Sequence, residues 1–539
     1  MKLTYIFLLN TAALVLLFNL LHSPDQTIAT IITVPDDYAT IQAAINAANA
    51  GDTVIVRAGT YNESLTLNKA ITLTAETYDP ANPANNNTII DGGGADAIIA
   101  IPSGVSPMPI IRGLVIRNGN DGIFPNSEFI VEYCYFTEAA DLIDYEEGSG
   151  GITRHNLFFA AFDDALDLDN QTNPLLIEHN RLLYSTQDGI EIRLQDSSAP
   201  PQLIDIIIRH NEIIGSGEDG IQFIDYTGDP QDTNRRFYVH NNLFANNLMA
   251  GIGLMPDEET GEDYSGADII EAIRVYNNTF YGQDYGISGG DNLVAFNNIF
   301  ASTTTFAVSR VQGNPGDNSI VAETLFFNNG TDATDSLLGS GNLFGQDPLF
   351  SALPSAGADG QFGTLDDDFS GLILQAGSPA IDAGVTQFSA VDGEPIPPTP
   401  ITGYNGLAPD LGWKESGPPV AAPVALNDSY VTTEGVTIAV SAPGVLANDI
   451  GSSLTAVLNT NPTSGTLTFQ ADGAFIYTPT LGFVGLDSFT YHANDGQADS
   501  NIANVTIAVG VPLPEFKLYL PVITCSLCPS GTLFTALKT

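Results

Sequence analysis

One repeated motif limits what this chain can fold into more than any other feature. Three copies begin at His155, His179 and His210, and in each copy an Asn follows the His directly and an Asp follows it by nine residues. The copies lie 24 and 31 residues apart. Repeats of this length are typical of solenoids, in which each turn of the chain stacks on the turn before it. The sequence therefore predicts a stack of coils.

The residues around the motif predict short β-strands for the wall of each coil. Short apolar segments such as 175–177 and 204–208, and the pairs Ile190 with Ile192 and Ile221 with Phe223, are interrupted by Asn, Gly or Asp. Such runs are the pattern of strands separated by turns. No segment between residues 100 and 330 has the apolar period of a helix together with caps at both ends.

A helix is predicted at the N-terminal end of the stack. The segment 34–48 begins with Pro and two acidic residues, and Ile41, Ala44, Ile45 and Ala48 fall on one helical face. We expect this helix to cover the first coil, because the open end of a solenoid exposes strand edges that invite aggregation.

These coils resemble the right-handed parallel β-helix proteins of the pectate-lyase type, whose repeat ends in a similar Asp-Gly-Ile turn. Asp188-Gly189-Ile190 and Asp219-Gly220-Ile221 are two such turns, and the resemblance covers about residues 33–345. It implies an all-β fold class: a right-handed parallel β-helix solenoid with an N-terminal capping helix, followed by a second β domain.

Two sequence segments indicate a second domain. They are 446–451 (LANDIG) and 482–491 (GFVGLDSFTY), and they resemble segments of bacterial cadherin-like or Ig-like modules. Such modules are β-sandwiches used as spacers or adhesive units. Asp449, Asp487 and Asp495 are candidates either for Ca²⁺ ligands or for simple turn residues. The acidic run 359–368 leaves the same choice open between a Ca²⁺ site and a solvated loop.

Composition shifts divide the chain into six predicted parts. They are a signal peptide at 1–29, the β-helix at 30–345, a loop-rich cap of the solenoid at 346–416, a Pro-rich linker at 417–423, the Ig-like or cadherin-like domain at 424–510 and a C-terminal tail at 511–539.

Targeting and charge restrict the partners. Lys2 followed by the apolar stretch 5–21 predicts export, so we expect a secreted or cell-surface protein, with an uncleaved membrane anchor as the alternative. The formal net charge of −47 argues against nucleic acid as a partner and favours divalent cations. We expect a monomer with possible attachment to a cell surface.

Alignment of the repeats places acids from different coils in columns. Asp141, Asp164, Asp188 and Asp219 form one column, and Asp167, Glu191 and Gln222 form another three residues later. Residues at equivalent positions of neighbouring coils lie about 4.8 Å apart, so stacked carboxylates repel one another and need a cation. Arg193 and Ca²⁺ are the two candidates.

The run Asp163-Asp164-x-x-Asp167, with Asp141 one coil earlier, resembles the calcium site of the family 9 polysaccharide lyases. The resemblance implies that Asp141, Asp163, Asp164 and Asp167 bind Ca²⁺ and that an acidic polysaccharide is cleaved by β-elimination. Arg193, Asp188 and Glu191 are the catalytic candidates. The lysine expected in that family has no match, since the only Lys residues after Lys2 are Lys69, Lys414, Lys517 and Lys538.

Two other functions stay open. A hydrolase similar to the polygalacturonases would use Asp141, Asp163 and Asp164 without a metal, although the Gly-His-Gly element of that family is missing. A carbohydrate-binding or adhesion protein would need no catalytic base, and the missing lysine favours it.

Overall fold

The computed structural model describes residues 29–169, 171–195, 200–225, 233–256, 264, 269–311, 319–389, 393–416, 423–451, 454–494 and 500–511. It contains two compact units, residues 1–419 and 420–539. Almost all of the predicted signal peptide, linker and tail therefore lies outside the described residues. Within the described ranges, no helix has the length and apolar character needed to cross a membrane.

The first unit is a stack of coils whose strands pair in parallel with the coils before and after them. The first row of strands forms one twelve-stranded sheet. Its members are Ile31–Val34, Thr53–Val56, Thr72–Ala75, Ile110–Arg112, Glu128–Glu132, Gly150–Arg154, Leu175–Glu178, Ile204–Arg209, Arg235–His240, Ala272–Tyr276, Leu293–Phe296 and Ile320–Ala322.

Two further rows complete each coil. The second row contains Gly59–Asn62, Tyr135–Thr137, Leu157–Phe159, Arg181–Leu183, Glu212–Ile214, Leu243–Ala245, Thr279–Tyr281, Ile299–Ala301, Leu325–Phe327 and Leu343–Phe344. The third row contains Leu65–Thr66, Asp141–Asp144, Leu166–Leu168, Ile190–Leu194, Ile221–Asp225, Ala250–Met255, Tyr285–Ser288, Phe306–Ser309 and Thr331–Thr334. Two long strands, Thr88–Ile101 and Val115–Pro125, run through both rows.

The core is a set of apolar columns that run along the stack. One such column in the third row contains one residue from each of five successive strands, each opposite the next. Its members are Leu166, Ile190, Ile221, Ile252 and Ile287. All five side chains are fully buried. Each coil alone leaves its apolar face open, so the hydrophobic effect stabilises the stack as a whole.

The His-Asn pair of the motif forms the turn between the first and second rows. The three motif histidines have φ of 55° or 56°, a left-handed conformation in which His and Asn are enriched. The Asn side chains form a buried ladder, in which each amide nitrogen donates to the next Asn oxygen at 3.0 or 3.1 Å. This ladder satisfies groups that would otherwise be buried without partners, and it explains the repeated Asn.

The predicted capping helix is confirmed at Ile41–Ala47. Thr40 is its N-cap and accepts a hydrogen bond from the Ala43 N–H at 3.2 Å. Lys69 donates to the carbonyl oxygens of Ile45, Asn46 and Ala48, so this lysine caps the C-terminal end of the helix.

Residues 346–416 differ from the predicted cap in where they pack. Phe369 and Leu372 lie in a buried cluster with Leu183, Ile214 and Leu243 of the second row. The segment therefore covers the flank of the solenoid over several coils, because the outer face of the second row is apolar there. Its two short strands, Phe388–Ser389 and Pro395–Ile396, pair antiparallel. We call residues 346–416 the flank segment.

The second unit is a β-sandwich. One sheet contains Asp428–Thr432, Ala503–Val509, Gly485–Asn494 and Thr455–Thr460, and the other contains Ile438–Val440, Phe475–Pro479 and Gly465–Phe469. A buried cluster that includes Phe475, Phe489, Tyr491 and Val505 fills the unit. The predicted all-β fold class, with a parallel β-helix and a sandwich, is confirmed.

In the second unit, the candidate calcium ligand Asp487 lies within the strand Gly485–Asn494 and not in a turn. Asp487 accepts the N–H groups of Thr463 and Ser464 at 3.0 and 2.9 Å and the Tyr477 hydroxyl at 2.7 Å. Both of its oxygens therefore have partners in the protein. Among the described residues, neither Asp449 nor Asp487 belongs to a group of three acids, and the third candidate, Asp495, lies outside the described residues.

Candidate metal-binding site

The first predicted column of acids exists and is built into the backbone. The Asp188 N–H donates to Asp164 Oδ1 at 2.6 Å, and the Asp219 N–H donates to Asp188 Oδ1 at 2.6 Å. The Asp164 N–H donates to Asp141 Oδ1 at 3.3 Å. Each carboxylate thus uses one oxygen to hold the next coil in register, which fixes the direction in which the column points.

The second column lies on the third-row strands. Asp144, Asp167, Glu191 and Gln222 stand opposite one another on four successive strands. Neighbouring strands in a sheet are about 4.8 Å apart, so these side chains are adjacent to one another and to the first column.

The two columns create three overlapping groups of acids. In each group, one carboxylate oxygen from each residue lies within 4.8 Å of the others. The groups are Asp141, Asp164 and Asp167; Asp164, Asp188 and Glu191; and Asp144, Asp167 and Asp169. Three of the four predicted metal ligands form the first group.

We use the term acid cluster for the seven members of these three groups together with Asp163. Its members are Asp141, Asp144, Asp163, Asp164, Asp167, Asp169, Asp188 and Glu191.

Arg193 is the cation that the acid cluster holds within the protein. Its Nη1 lies 3.1 Å from Asp167 Oδ2 and 2.5 Å from Asp169 Oδ1, and its Nη2 pairs with Glu191. Burial lowers the pKa of Arg193, but the charges of Asp167, Glu191 and Asp169 outweigh burial and raise the pKa above its ordinary value. Arg193 therefore stays protonated.

One arginine does not neutralise the acid cluster, and several of its carboxyl groups have raised pKa values, which favour the protonated form. Burial raises the pKa of Asp141 to about 6, of Glu191 to about 7 and of Asp144 to about 8. Burial also raises the pKa of Asp164 and Asp167 well above the ordinary aspartate value. A divalent cation would take the place of these protons.

The first group fits a calcium ion by the chemistry of its donors. Asp167 is only 6% exposed, and its Oδ1 is buried without a hydrogen-bond partner among the described residues. Asp163 Oδ1 and Asp144 Oδ1 are buried in the same way. Ca²⁺ accepts six to eight oxygen ligands with loose geometry, so a set of carboxylates with unused oxygens suits it.

The other predicted site residues have distinct positions. Asp163 lies next to the first group but outside all of the three-acid groups among the described residues. Asp188 is fully buried and serves the backbone column. Glu191 is 4% exposed and pairs with Arg193. The parts of Asp163, Asp188, Glu191 and Arg193 in binding or catalysis stay predictions.

Sequence reasoning missed Asp144, which stands in the same column as Asp167. The signal was present, because Asp144 follows Asp141 by three residues, just as Asp167 follows Asp164 and Glu191 follows Asp188.

The raised pKa values predict how stability depends on pH. Because Asp141, Glu191 and Asp144 have folded-state pKa values near 6, 7 and 8, above those of an unfolded chain, the folded state binds more protons. Their stabilising contribution is complete below about pH 4 and is lost as the pH rises towards 8. We expect the melting temperature of the metal-free protein to fall across this window.

Saturating Ca²⁺ should oppose this loss, so the calcium-induced rise in melting temperature should grow from pH 5 to pH 8. Thermal unfolding at several pH values, in chelator and in calcium, measures both effects. A calcium-induced shift that is the same at pH 5 and pH 8 would count against cation binding by these carboxylates.

Comparison with known proteins gives two family matches. Residues 77–244 match the model of the right-handed beta helix region, and residues 420–508 match that of the bacterial Ig domain. No curated protein sequence matches the chain.

Solved structures that are similar to the chain include the following three. A pectate lyase, Pel9A, is 13% identical, with a TM-score of 0.47 over 72% of this chain and 97% of that one. A PL6 family alginate lyase is 14% identical, with a TM-score of 0.24 over 76% and 62%. The pectin methylesterase from Aspergillus niger is 13% identical, with a TM-score of 0.21 over 58% and 88%.

These TM-scores are all below 0.5. The strand topology and the two family models identify the folds of the two units. The strand rows of the first unit and the match over residues 77–244 agree, as do the sandwich of the second unit and the match over residues 420–508. The chain has the fold of a right-handed parallel β-helix followed by an Ig-like β-sandwich.

Proposed function

We propose that this chain is an extracellular, calcium-dependent protein that cleaves an acidic polysaccharide by β-elimination. The observation that carries the proposal is the convergence of Asp141, Asp164 and Asp167 from two successive coils, with an unused, buried oxygen on Asp167. Burying a carboxylate costs desolvation free energy, and solubility needs acids only on the surface. Solubility therefore does not explain why these carboxylates are stacked and buried.

Asp141, Asp164 and Asp167 would hold the calcium ion. The chemistry that bound calcium supplies is neutralisation of a sugar carboxylate, which makes the adjacent proton more acidic. Arg193 keeps Asp167, Asp169 and Glu191 in place by its ion pairs and stays a cation. Removal of the proton therefore falls to Glu191, whose pKa of about 7 allows it to be deprotonated at neutral pH.

The test is incubation of the full chain with polygalacturonate or alginate, in calcium and in chelator. β-Elimination creates an unsaturated uronate, which is followed by its ultraviolet absorbance. We expect a calcium-dependent rise that falls at least about 100-fold in Asp164→Asn, which loses a metal ligand. Glu191→Gln should lose the rise but still bind calcium, and Asp205→Asn, an acid on the first row, is the matched control.

The outcomes separate the three candidate functions. Reducing sugar released without the absorbance would show hydrolysis instead of elimination. Retention of a glycan without either product would show a binding protein.

A specific cleft favours the binding function as the second candidate. This cleft of about 580 Å³ lies at the turn between the first and second rows, away from the third-row acids. The rings of His155, His179 and His210 stack along it with centroids 5.0 and 4.9 Å apart, and Trp413 also lines it. Flat rings of this kind can pack against sugar faces. Trp413→Ala should weaken glycan retention if this cleft is used and leave it unchanged if the acid cluster is.

A further inference from the structure

A second group of acids lies in the flank segment, far along the chain from the acid cluster. One carboxylate oxygen from each of Asp359, Asp366 and Asp367 lies within 4.8 Å of the others. The sequence alone left this acidic run open between a calcium site and a solvated loop.

The buried member of this group has an oxygen that the protein does not use. Asp367 is 7% exposed, and its Oδ2 accepts the N–H groups of Gly363 and Thr364 at 2.7 and 3.2 Å and the hydroxyl of Tyr184. Its Oδ1 is buried with no hydrogen-bond partner among the described residues. A buried carboxylate oxygen without a partner is costly, so a ligand is expected there.

The two other members are exposed. Hydrogen bonds from the Thr364 hydroxyl and the Ala358 N–H lower the pKa of Asp366, so this group is ionised at neutral pH. The sequence has no Lys or Arg between Arg310 and Lys414, and none of the ion pairs among the described residues reaches Asp359, Asp366 or Asp367. Among the described residues, these three neighbouring carboxylates are therefore not neutralised by an ion pair.

We propose that Asp359, Asp366 and Asp367 bind a structural Ca²⁺ that fastens the flank segment to the solenoid. Ca²⁺ takes six to eight oxygen ligands, which the three carboxylates and water together can supply. Asp367 also bonds to Tyr184 of the solenoid, and the nearby Phe369 packs into the cluster with Leu183. The ion would therefore join an exposed turn to a residue that is already anchored on a coil.

This site is independent of the proposed function, and the experiment keeps the two apart. The full chain carrying Asp167→Asn, which weakens the acid cluster, is titrated with calcium chloride in a calorimeter. The test chain carries Asp359→Asn and Asp366→Asn in addition to Asp167→Asn. The matched control carries Asp347→Asn and Asp368→Asn in their place. The control removes two exposed acids of the same segment that lie outside the group.

We expect one calcium-binding event in the background chain and in the control, and its loss in the Asp359→Asn, Asp366→Asn chain. Equal calcium binding by the test and control chains would overturn the proposal, as would an absence of binding in the background chain.

A second readout reports on the segment itself. Phe362 and Leu365 are 53% and 37% exposed and lie within the acidic run, so chymotrypsin should cut there in chelator. Calcium should slow this cleavage at least about 10-fold in the control chain, because binding to the folded turn reduces its opening. The cut bond is identified by mass spectrometry. Equal protection of the test chain by calcium would contradict the assignment.

Discussion

Replacing Asp167 with asparagine should weaken calcium binding at the acid cluster at least about 100-fold, while the melting temperature of the metal-free protein changes little. Asp167 is shared by two of the three acid groups, and its Oδ1 is the buried oxygen without a partner. Burial raises the pKa of Asp167 well above the ordinary aspartate value, so an uncharged side chain at this position costs the metal-free protein little. Asparagine has nearly the same shape and the same lack of charge as a protonated aspartate.

Calorimetric titration with calcium and thermal unfolding in chelator measure the two parts of this prediction. The titration is best made with Asp359→Asn and Asp366→Asn also present, so that the flank segment does not contribute. Asp205→Asn is the control, because Asp205 pairs with Arg236 on the first row. A chain with Asp167→Asn that still gains the full calcium-induced rise in melting temperature would remove Asp167 from the site.

Replacing Arg193 with glutamine should lower the free energy of unfolding by about 3 kcal/mol in chelator, because it leaves partly buried carboxylates without their cation. Arg193 reaches Asp167, Asp169 and Glu191, and its side chain is 26% exposed. Calcium should restore part of the loss by supplying positive charge to the same acids. Urea unfolding with and without calcium gives both values.

The matched control is Arg181→Gln, since Arg181 makes a more exposed ion pair with Glu212. Exposed pairs contribute about 0–1 kcal/mol, so this control should change stability little and should not respond to calcium. If Arg193→Gln behaves like Arg181→Gln, the arginine is not the counter-charge of the cluster.

Much of the fold could be predicted from the sequence, because each coil repeats the same order of strand and turn residues. The Asn ladder and the column from Asp141 to Asp219 follow from equal spacing, since residues at equivalent positions of a coil must stack. The capping helix followed from one apolar face and one cap. These features depend on neighbours that are close in sequence or one repeat away.

The site was only partly predictable. Motif alignment predicted the two columns in which Asp164 and Asp167 stand. It could not show that Asp163 falls outside the three-acid groups of the described residues while Asp144 belongs to one. Neighbours in sequence can face different directions, and strand register decides which of them converge. The pairing of Arg193 with three acids likewise depends on where a long side chain finds its charges.

By itself, the sequence determined that this chain winds into stacked coils with columns of acids, because a periodic pattern is a local property that stacking repeats. Only the tertiary structure decided that residues 346–416 cover the flank of the solenoid and that Asp367 meets Tyr184 from 183 residues away. No period links such distant residues, so their contact is set by the apolar surface that the folded coils leave exposed.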